Sequence, residues 1–199
     1  MKRKIWIGIL IAFLGNAPAA LAGDSEVVMK HEIVSSGPMV MKTKFYIHNK
    51  EIARRTYKSE EIGLRMGETS IEPMLKLVLI DSQGVIPDGI VKDYYPSGAL
   101  FAEHRYKNNQ RNGTSKMYYQ GGQLMGVSKL KKDKVLNGKA YDENGNLEME
   151  FFYEKNGQIR KVKQYLPDGG GYSEMLYENG KVKSSKLYRK NGPVEDLQK

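Results

Sequence analysis

This sequence predicts an all-β fold: an elongated, twisted antiparallel β-meander of successive hairpin repeats, preceded by an N-terminal signal-peptide helix. Three observations predict it. Turn-forming glycines recur on a beat of about twelve residues through the second half of the chain. Tyrosines stand at set distances from those glycines. The chain also carries 13 tyrosines against one tryptophan and no cysteine, so its stability rests on strand pairing and apolar burial, not on disulfides.

The beat is read from the turns. Gly98, Gly122, Gly145, Gly157, Gly180 and Gly192 are separated by 24, 23, 12, 23 and 12 residues. Asn108-Asn109, Lys132-Asp133 and Asp168-Gly169 fill the gaps near the expected midpoints. Asn-Gly, Asp-Gly and their relatives tolerate the positive φ of tight hairpin turns, so one beat is one strand plus one reversal, and two beats make a hairpin. Two residues after five of these glycines stand Leu100, Leu124, Leu147, Ile159 and Val182. Eight residues after them stand Tyr106, Leu130, Tyr153, Tyr165 and Tyr188. An even difference places both members of each pair on one face of a strand, whereas on a helix they would lie about 240° apart around the wheel. The expected sheet therefore has an aliphatic–tyrosine face. Its other face is charged and partly apolar, with Glu103, Arg105, Lys129, Glu148, Glu150, Arg160 and Lys183 among Phe101, Met125, Val127, Phe152 and Leu187.

Segments 88–100 (DGIVKDYYPSGAL) and 112–124 (NGTSKMYYQGGQL) carry a family resemblance. The chain resembles the variant MORN-repeat family, whose bacterial members are often labelled antitoxin-like. The resemblance spans about residues 85–192. Later repeats depart from the pattern: the tyrosine pair becomes a single tyrosine, and Gly169-Gly170-Gly171 replaces an ordinary turn. It implies a hairpin-repeat fold without shared catalytic residues.

The N-terminus reads as an export signal. Lys2, Arg3 and Lys4 precede an apolar run, Ile5 to Leu14, and Ala20-Leu21-Ala22 places small residues where a signal peptidase cuts, after Ala22. The run is about ten residues, half of what a bilayer span needs. Cleavage removes three bases and takes the net charge from +9 to +6. The expected location is the periplasm or the exterior of a bacterium. Residues 23–86 read as degenerate β hairpins capping the sheet, since terminal repeats are commonly atypical. Residues 87–199 read as MORN-like repeats continuous with that sheet. Within the cap, Lys42 to Tyr57 reads as two strands around His48-Asn49-Lys50, and Leu75 to Ile86 breaks at Asp81-Ser82-Gln83-Gly84. Ser59 to Met66 reads as a short helix or loop, and Met74 to Ile80 as one buried strand.

Chemistry-bearing patterns are sparse. His31, His48 and His104 lack ligand spacing, so no metal is expected. No serine sits in a nucleophile elbow. Glu148 and Glu150 read as solvated residues paired with cations on the next strand, and Gly121-Gly122 and Gly169-Gly170-Gly171 as turns. No catalytic residue and no cofactor is expected. Basic clusters at 129–134, 160–163 and 181–190 read as solvated charge; an anionic lipid or membrane surface is the next reading, and export argues against nucleic acid. The function expected is an exported, non-enzymatic binding or scaffold module with a protein partner, docked along a sheet face or by strand addition at an edge. Antitoxin-like neutralisation of a partner protein and binding to an anionic membrane surface are the alternatives; a cell-envelope hydrolase ranks last. Tyr94, Tyr95, Tyr118, Tyr119 and Tyr141 are the candidate contact residues, and packing of the sheet is the simpler role for them. Export predicts a mature chain that begins at Gly23; mass spectrometry of the protein recovered outside the inner membrane checks this, and an intact Met1 terminus there contradicts it.

Overall fold

The computed structural model describes residues 26–36, 39–66 and 71–197; side-chain surroundings are described for all of these except 35–36, 61–66 and 71–76. The signal peptide and the cut after Ala22 lie outside the described residues. Fourteen strands and no helix occur among the described residues. The chain forms two compact units. The first comprises the described residues up to Ile86 together with Asp93–Gly98, and the second Pro87–Lys92 with the chain from Ala99 onward.

In the first unit β1 (Val27–Ser36), β2 (Met39–Ile47), β3 (Lys50–Met66) and β4 (Ile71–Gly84) pair in sequence order, each antiparallel to the next. His48 and Asn49, with φ of 48° and 61°, make the reversal between β2 and β3. The core is one cross-strand row, Met29–Phe45–Ala53–Gly84, in which Phe45 is fully buried. Gly84 fits because a Cβ there would collide with the Ile52 carbonyl oxygen. Three expectations are corrected here. Ser59–Met66 is strand, because its backbone continues the β3–β4 ladder. The Asp81–Gly84 stretch does not break the chain, since it pairs with Ala53–Thr56. Leu79 and Ile80 are exposed, not buried, because β4 is the outer strand of this unit.

β5 (Gly89–Tyr94) is divided between the units. In the second unit β6 (Leu100–Lys107), β7 (Gln110–Tyr118), β8 (Leu124–Lys131), β9 (Lys134–Tyr141), β10 (Leu147–Tyr153), β11 (Ile159–Tyr165), β12 (Gly171–Glu178), β13 (Lys181–Arg189) and β14 (Glu195–Asp196) form an antiparallel meander. Its turns are of two kinds. Asn108-Asn109, Lys132-Asp133 and Asn179-Gly180 are two-residue turns with both φ values positive, between 50° and 76°. Gly122, Gly145 and Gly157 end longer turns in which their N–H closes on the carbonyl three residues back, at φ of 83° to 89°; Gly98 does the same at 87°. This is a turn followed by a left-handed residue, where glycine avoids the Cβ penalty. Gly192 sits in a bend without a left-handed φ.

The expectation that offsets of two and eight share a face fails in β8, β10, β11 and β13. Met117 opposes Gly126 but Tyr118 opposes Leu124, which leaves Met125 as an extra residue. The same one-residue insertion occurs at Leu136, Glu148, Arg160 and Lys183. An inserted residue reverses the alternation of side chains along the strand, so positions before and after the bulge change faces.

The register defines the faces directly. One carries the rows Ala102–Met117–Gly126–Ala140–Met149–Gln164–Ser173–Leu187 and His104–Ser115–Ser128–Gly138–Phe151–Val162–Met175–Ser185. Neither row contains Asp, Glu, Lys or Arg. Ala102, Met149, Val162 and Leu187 are buried there, so this is the core face. Leu187 had been expected on the charged face. Phe151 lies over Gly138, its direct partner: a Cβ on Gly138 would run into the Phe151 ring at Cζ. Gly138→Ala is therefore expected to push the ring off the sheet and cost about 1–3 kcal/mol. Thermal unfolding of the variant checks this, and an unchanged midpoint refutes the packing.

Candidate binding surface

The other face of the second unit is an electrostatic ladder. Its central row reads Glu103–Lys116–Val127–Lys139–Glu150–Lys163–Glu174–Lys186–Asp196 across nine strands. Opposite charges directly across a strand pair stabilise the sheet, each pair by a few tenths to about 1 kcal/mol. Lys139 Nζ lies 3.0 Å from Glu150 Oε1, and Lys161 and Lys163 lie 3.6 and 3.9 Å from Glu174 Oε2. Lys161 also sits over the Phe152 ring and Lys163 over that of Tyr172, at 4.8 and 4.4 Å from the centroids.

Tyrosines flank this row on the same face. Tyr165, Tyr172 and Tyr188 oppose one another in register, with centroids 5.7 and 5.0 Å apart, the second pair stacked. Tyr165 donates its hydroxyl to Glu150 Oε2 at 2.9 Å, and Tyr118 donates to Glu103 Oε2 at 3.1 Å. Both bonds span fifteen residues and lie 47 residues apart, at the same place two repeats on; in the repeat between them Val127 stands where the carboxylate would be. Burial, and then the bonded carboxylate, raise the Tyr118 hydroxyl above its ordinary range; the same two causes push Tyr165 up to about 12. Burial works to raise Glu150, but the bonds from Lys139 and Tyr165 outweigh it and hold its carboxyl below the ordinary value.

The five candidate contact tyrosines are split. Tyr94 and Tyr95 belong to the first unit and Tyr118, Tyr119 and Tyr141 to the second. All five are part-buried. Tyr94 donates to Glu26 Oε1 at 2.6 Å, and burial raises the Tyr95 hydroxyl. Tyr119 donates to the Tyr141 carbonyl at 2.7 Å, which ties one turn to the next. Three of the five, Tyr94, Tyr118 and Tyr119, thus commit their hydroxyls to bonds within their own unit. Asp142 accepts the Asn144 and Asn146 N–H groups and the Asn146 side chain, and these bonds, the Asn146 side chain first, hold its carboxyl below the usual range.

A meander sends alternate turns to opposite rims. One rim gathers the β6–β7, β8–β9, β10–β11 and β12–β13 turns, with Lys107, Arg111, Lys129, Lys131, Lys132, Lys134, Lys155, Arg160, Lys181 and Lys183. Three of its carboxylates are matched locally: Asp133 with Arg111 at 3.4 Å, Glu154 with Arg160 at 3.5 Å and Glu178 with Lys183 at 3.2 Å. A fourth, Asp88, accepts the Asn108 N–H at 2.7 Å. Neighbouring turns are stapled. Asp133 N–H donates to the Arg111 carbonyl, Arg111 N–H to Asp133 Oδ1, and Lys134 Nζ to the Lys155 carbonyl at 3.4 Å. The opposite rim bears the longer Gly122 and Gly145 turns and the acids Asp142, Glu143, Glu148 and Asp168.

One polar arrangement in the first unit escaped sequence reasoning. His31 Nδ1 is 2.9 Å from Thr43 Oγ1, and its Nε2 is 3.1 Å from Asp93 Oδ2. It orders hydroxyl, imidazole and carboxylate as in nucleophilic catalysis. Thr43 is 3% exposed and Asp93 4%, so the hydroxyl meets no solvent-borne substrate and the chain serves as a buried strand-to-strand tie. Only the fold brings residues 31, 43 and 93 together. No group of three or more His, Cys, Asp or Glu that could hold a metal occurs among the described residues.

The family model described as "MORN repeat variant" matches residues 87–108, 111–131 and 136–155. The matched stretches correspond to β5–β6, β7–β8 and β9–β10, and β11–β13 continue the same pairing beyond them. No curated protein matches the chain. A solved structure titled "Crystal structure of GtfA/B complex bound to UDP and GlcNAc" is 16% identical with a TM-score of 0.33, over 47% of this chain and 20% of that one. This chain spans a fifth of that one's length, and the likeness carries no argument.

The Tyr165–Glu150 bond predicts two pH effects. A raised tyrosine contributes stability that is full below the unfolded value of 10 and is lost as pH rises toward about 12; a lowered carboxyl contributes stability present above 4.5 and lost as pH falls through its folded value. Glu150→Gln is expected to bring the Tyr165 titration back toward 10 and to flatten the acid limb, read by ultraviolet phenolate absorbance and unfolding midpoints. An unshifted phenolate titration sinks the assignment.

Proposed function

We propose, from the premise that residues 87–155 are three consecutive MORN repeats of the variant class, that this chain is an exported, non-enzymatic binding module for a protein partner. MORN repeats are generally protein- or membrane-binding modules. The observation that carries the reading is the division of labour among polar groups. Tyrosine hydroxyls and the ladder carboxylates are bonded within the sheet, while one rim presents lysines whose charge no neighbouring acid matches. A scaffold that keeps its recognition groups on stapled turns holds them in fixed relative positions, which lowers the ordering cost of binding. The closed Thr43–His31–Asp93 chain supports a role without catalysis, and the basic, apolar N-terminal run supports export.

Affinity capture with the mature chain from its native envelope fraction, followed by crosslinking, tests this. The expected result is a protein crosslinked to the second unit. Tyr118→Phe with Tyr119→Phe is expected to leave capture intact while lowering stability by about 1 kcal/mol per lost bond. Recovery of no protein, or loss of capture in the double variant at full folding, overturns the reading.

A further inference from the structure

We propose that the basic rim of the second unit takes an acidic, extended segment of a partner polypeptide, laid from turn to turn across the β8–β9, β10–β11 and β12–β13 reversals. The inference rests on the binding-module reading and adds the chemistry and place of the contact.

Charge is the first ground. The rim acids Asp133, Glu154 and Glu178 are each matched by a rim cation, yet Lys129, Lys131, Lys132 and Lys181 make no ion pair among the described residues. All four are exposed. The surplus therefore calls for carboxylates from outside.

Backbone conformation is the second and independent ground. Lys132 holds φ of +50° at the first position of its two-residue turn. The matching position is Asn108 in the β6–β7 turn and Asn179 in the β12–β13 turn. Asparagine adopts the left-handed region with little penalty, whereas a long side chain there costs about 1 kcal/mol or more. The fold would be easier to form with asparagine, so a cation at this tip is maintained against the backbone's preference.

Geometry selects the occupant. Turns on one rim recur every second strand, about 10 Å apart, which three residues of extended chain span. A segment with an acid about every third residue can meet successive turns. Leu136 and Val182 are exposed beside these lysines and offer apolar contact to the residues between the acids. A second copy is a poor match: on the opposite rim Asp142 and Asp168 are engaged by their own turn N–H groups and Glu195 by Arg189, which leaves Glu143 and Glu148 to face four lysines. A flat anionic bilayer fits less well than a chain, because strands rotate by roughly 20–25° each and carry the turn tips out of one plane. A flexible segment can follow that rotation.

The test uses the mature full-length chain and a fluorescein-labelled peptide of five Glu-Glu-Gly units, with a Gln-Gln-Gly peptide and phosphatidylglycerol vesicles as comparators. The rim variant is Lys129→Gln, Lys131→Gln and Lys132→Asn; these lysines make no ion pair among the described residues and asparagine keeps the turn, so its unfolding midpoint is expected to be unchanged or higher. The control, with the same net charge, is Lys116→Gln, Lys186→Gln and Lys190→Gln. The acidic peptide is expected to bind, and the rim variant to weaken it by about tenfold or more while the control changes it by less than about threefold. Should the rim variant unfold, the triple Lys→Arg variant at 129, 131 and 132 decides: retained binding supports the proposal and lost binding overturns it. Equal weakening by both charge variants, equal binding of the Gln peptide, or binding to vesicles but not to the acidic peptide also overturns it. If the envelope partner is still captured by the folded rim variant, the binding-module reading survives and this inference fails.

Discussion

The second unit depends on the register that left-handed turn residues, and the bulges that follow most of them, impose on its hairpins. At Gly122, Gly145 and Gly157 the chain reverses with φ near 85°, and three residues later one strand gains an unpaired residue. Without the insertion the apolar side chains before and after it would fall on one face, as a plain even count predicts. With it, each strand re-phases by one position, and the rows of neighbouring strands come into line across the sheet. The chargeless core rows and the alternating ladder of lysine and glutamate both follow from that alignment.

A sheet with so thin a core needs other stabilising terms. The apolar face contributes burial through Ala102, Met149, Val162 and Leu187, and Gly138 makes room for the Phe151 ring. On the opposite face the ladder contributes cross-strand pairing, with Lys139 and Tyr165 converging on Glu150. Each such bond is modest. Repetition makes them count, and Tyr118–Glu103 and Tyr165–Glu150 show the same bond recurring two repeats on. Tyrosine suits this position because its ring packs and stacks, as Tyr172 does on Tyr188, while its hydroxyl reaches a carboxylate two strand positions away.

The same economy bears on function. A tyrosine whose hydroxyl closes one turn onto the next, as Tyr119 does on the Tyr141 carbonyl, rigidifies the rim and is withdrawn from recognition. The rims are then distinguished by charge. Antiparallel strands of similar length send alternate turns to opposite ends, so lysines separated by more than twenty residues in sequence, such as Lys132 and Lys155, stand on adjacent turns of one rim. Exposed cations held on stapled turns make a surface whose pattern, more than its net charge, can discriminate partners.

The meander itself was legible in the sequence, because the glycines, Asn108-Asn109 and Lys132-Asp133 mark reversals through local φ preferences that need no tertiary contact. So was the pairing of Glu150 with a cation on a neighbouring strand. The face of each side chain was not legible: a bulge is a relation between two strands, and counting along one of them cannot reveal it. This is why Leu187 and Tyr165 exchanged the faces expected of them, and why Ser59–Met66, weak in strand character, is strand through its partner β4. The His31–Thr43–Asp93 tie was hidden for the same reason, since it joins residues up to sixty-two positions apart. Local backbone chemistry determined where the chain turns; long-range pairing alone decided which groups meet, because register is an energy of the assembled sheet and not of any segment within it.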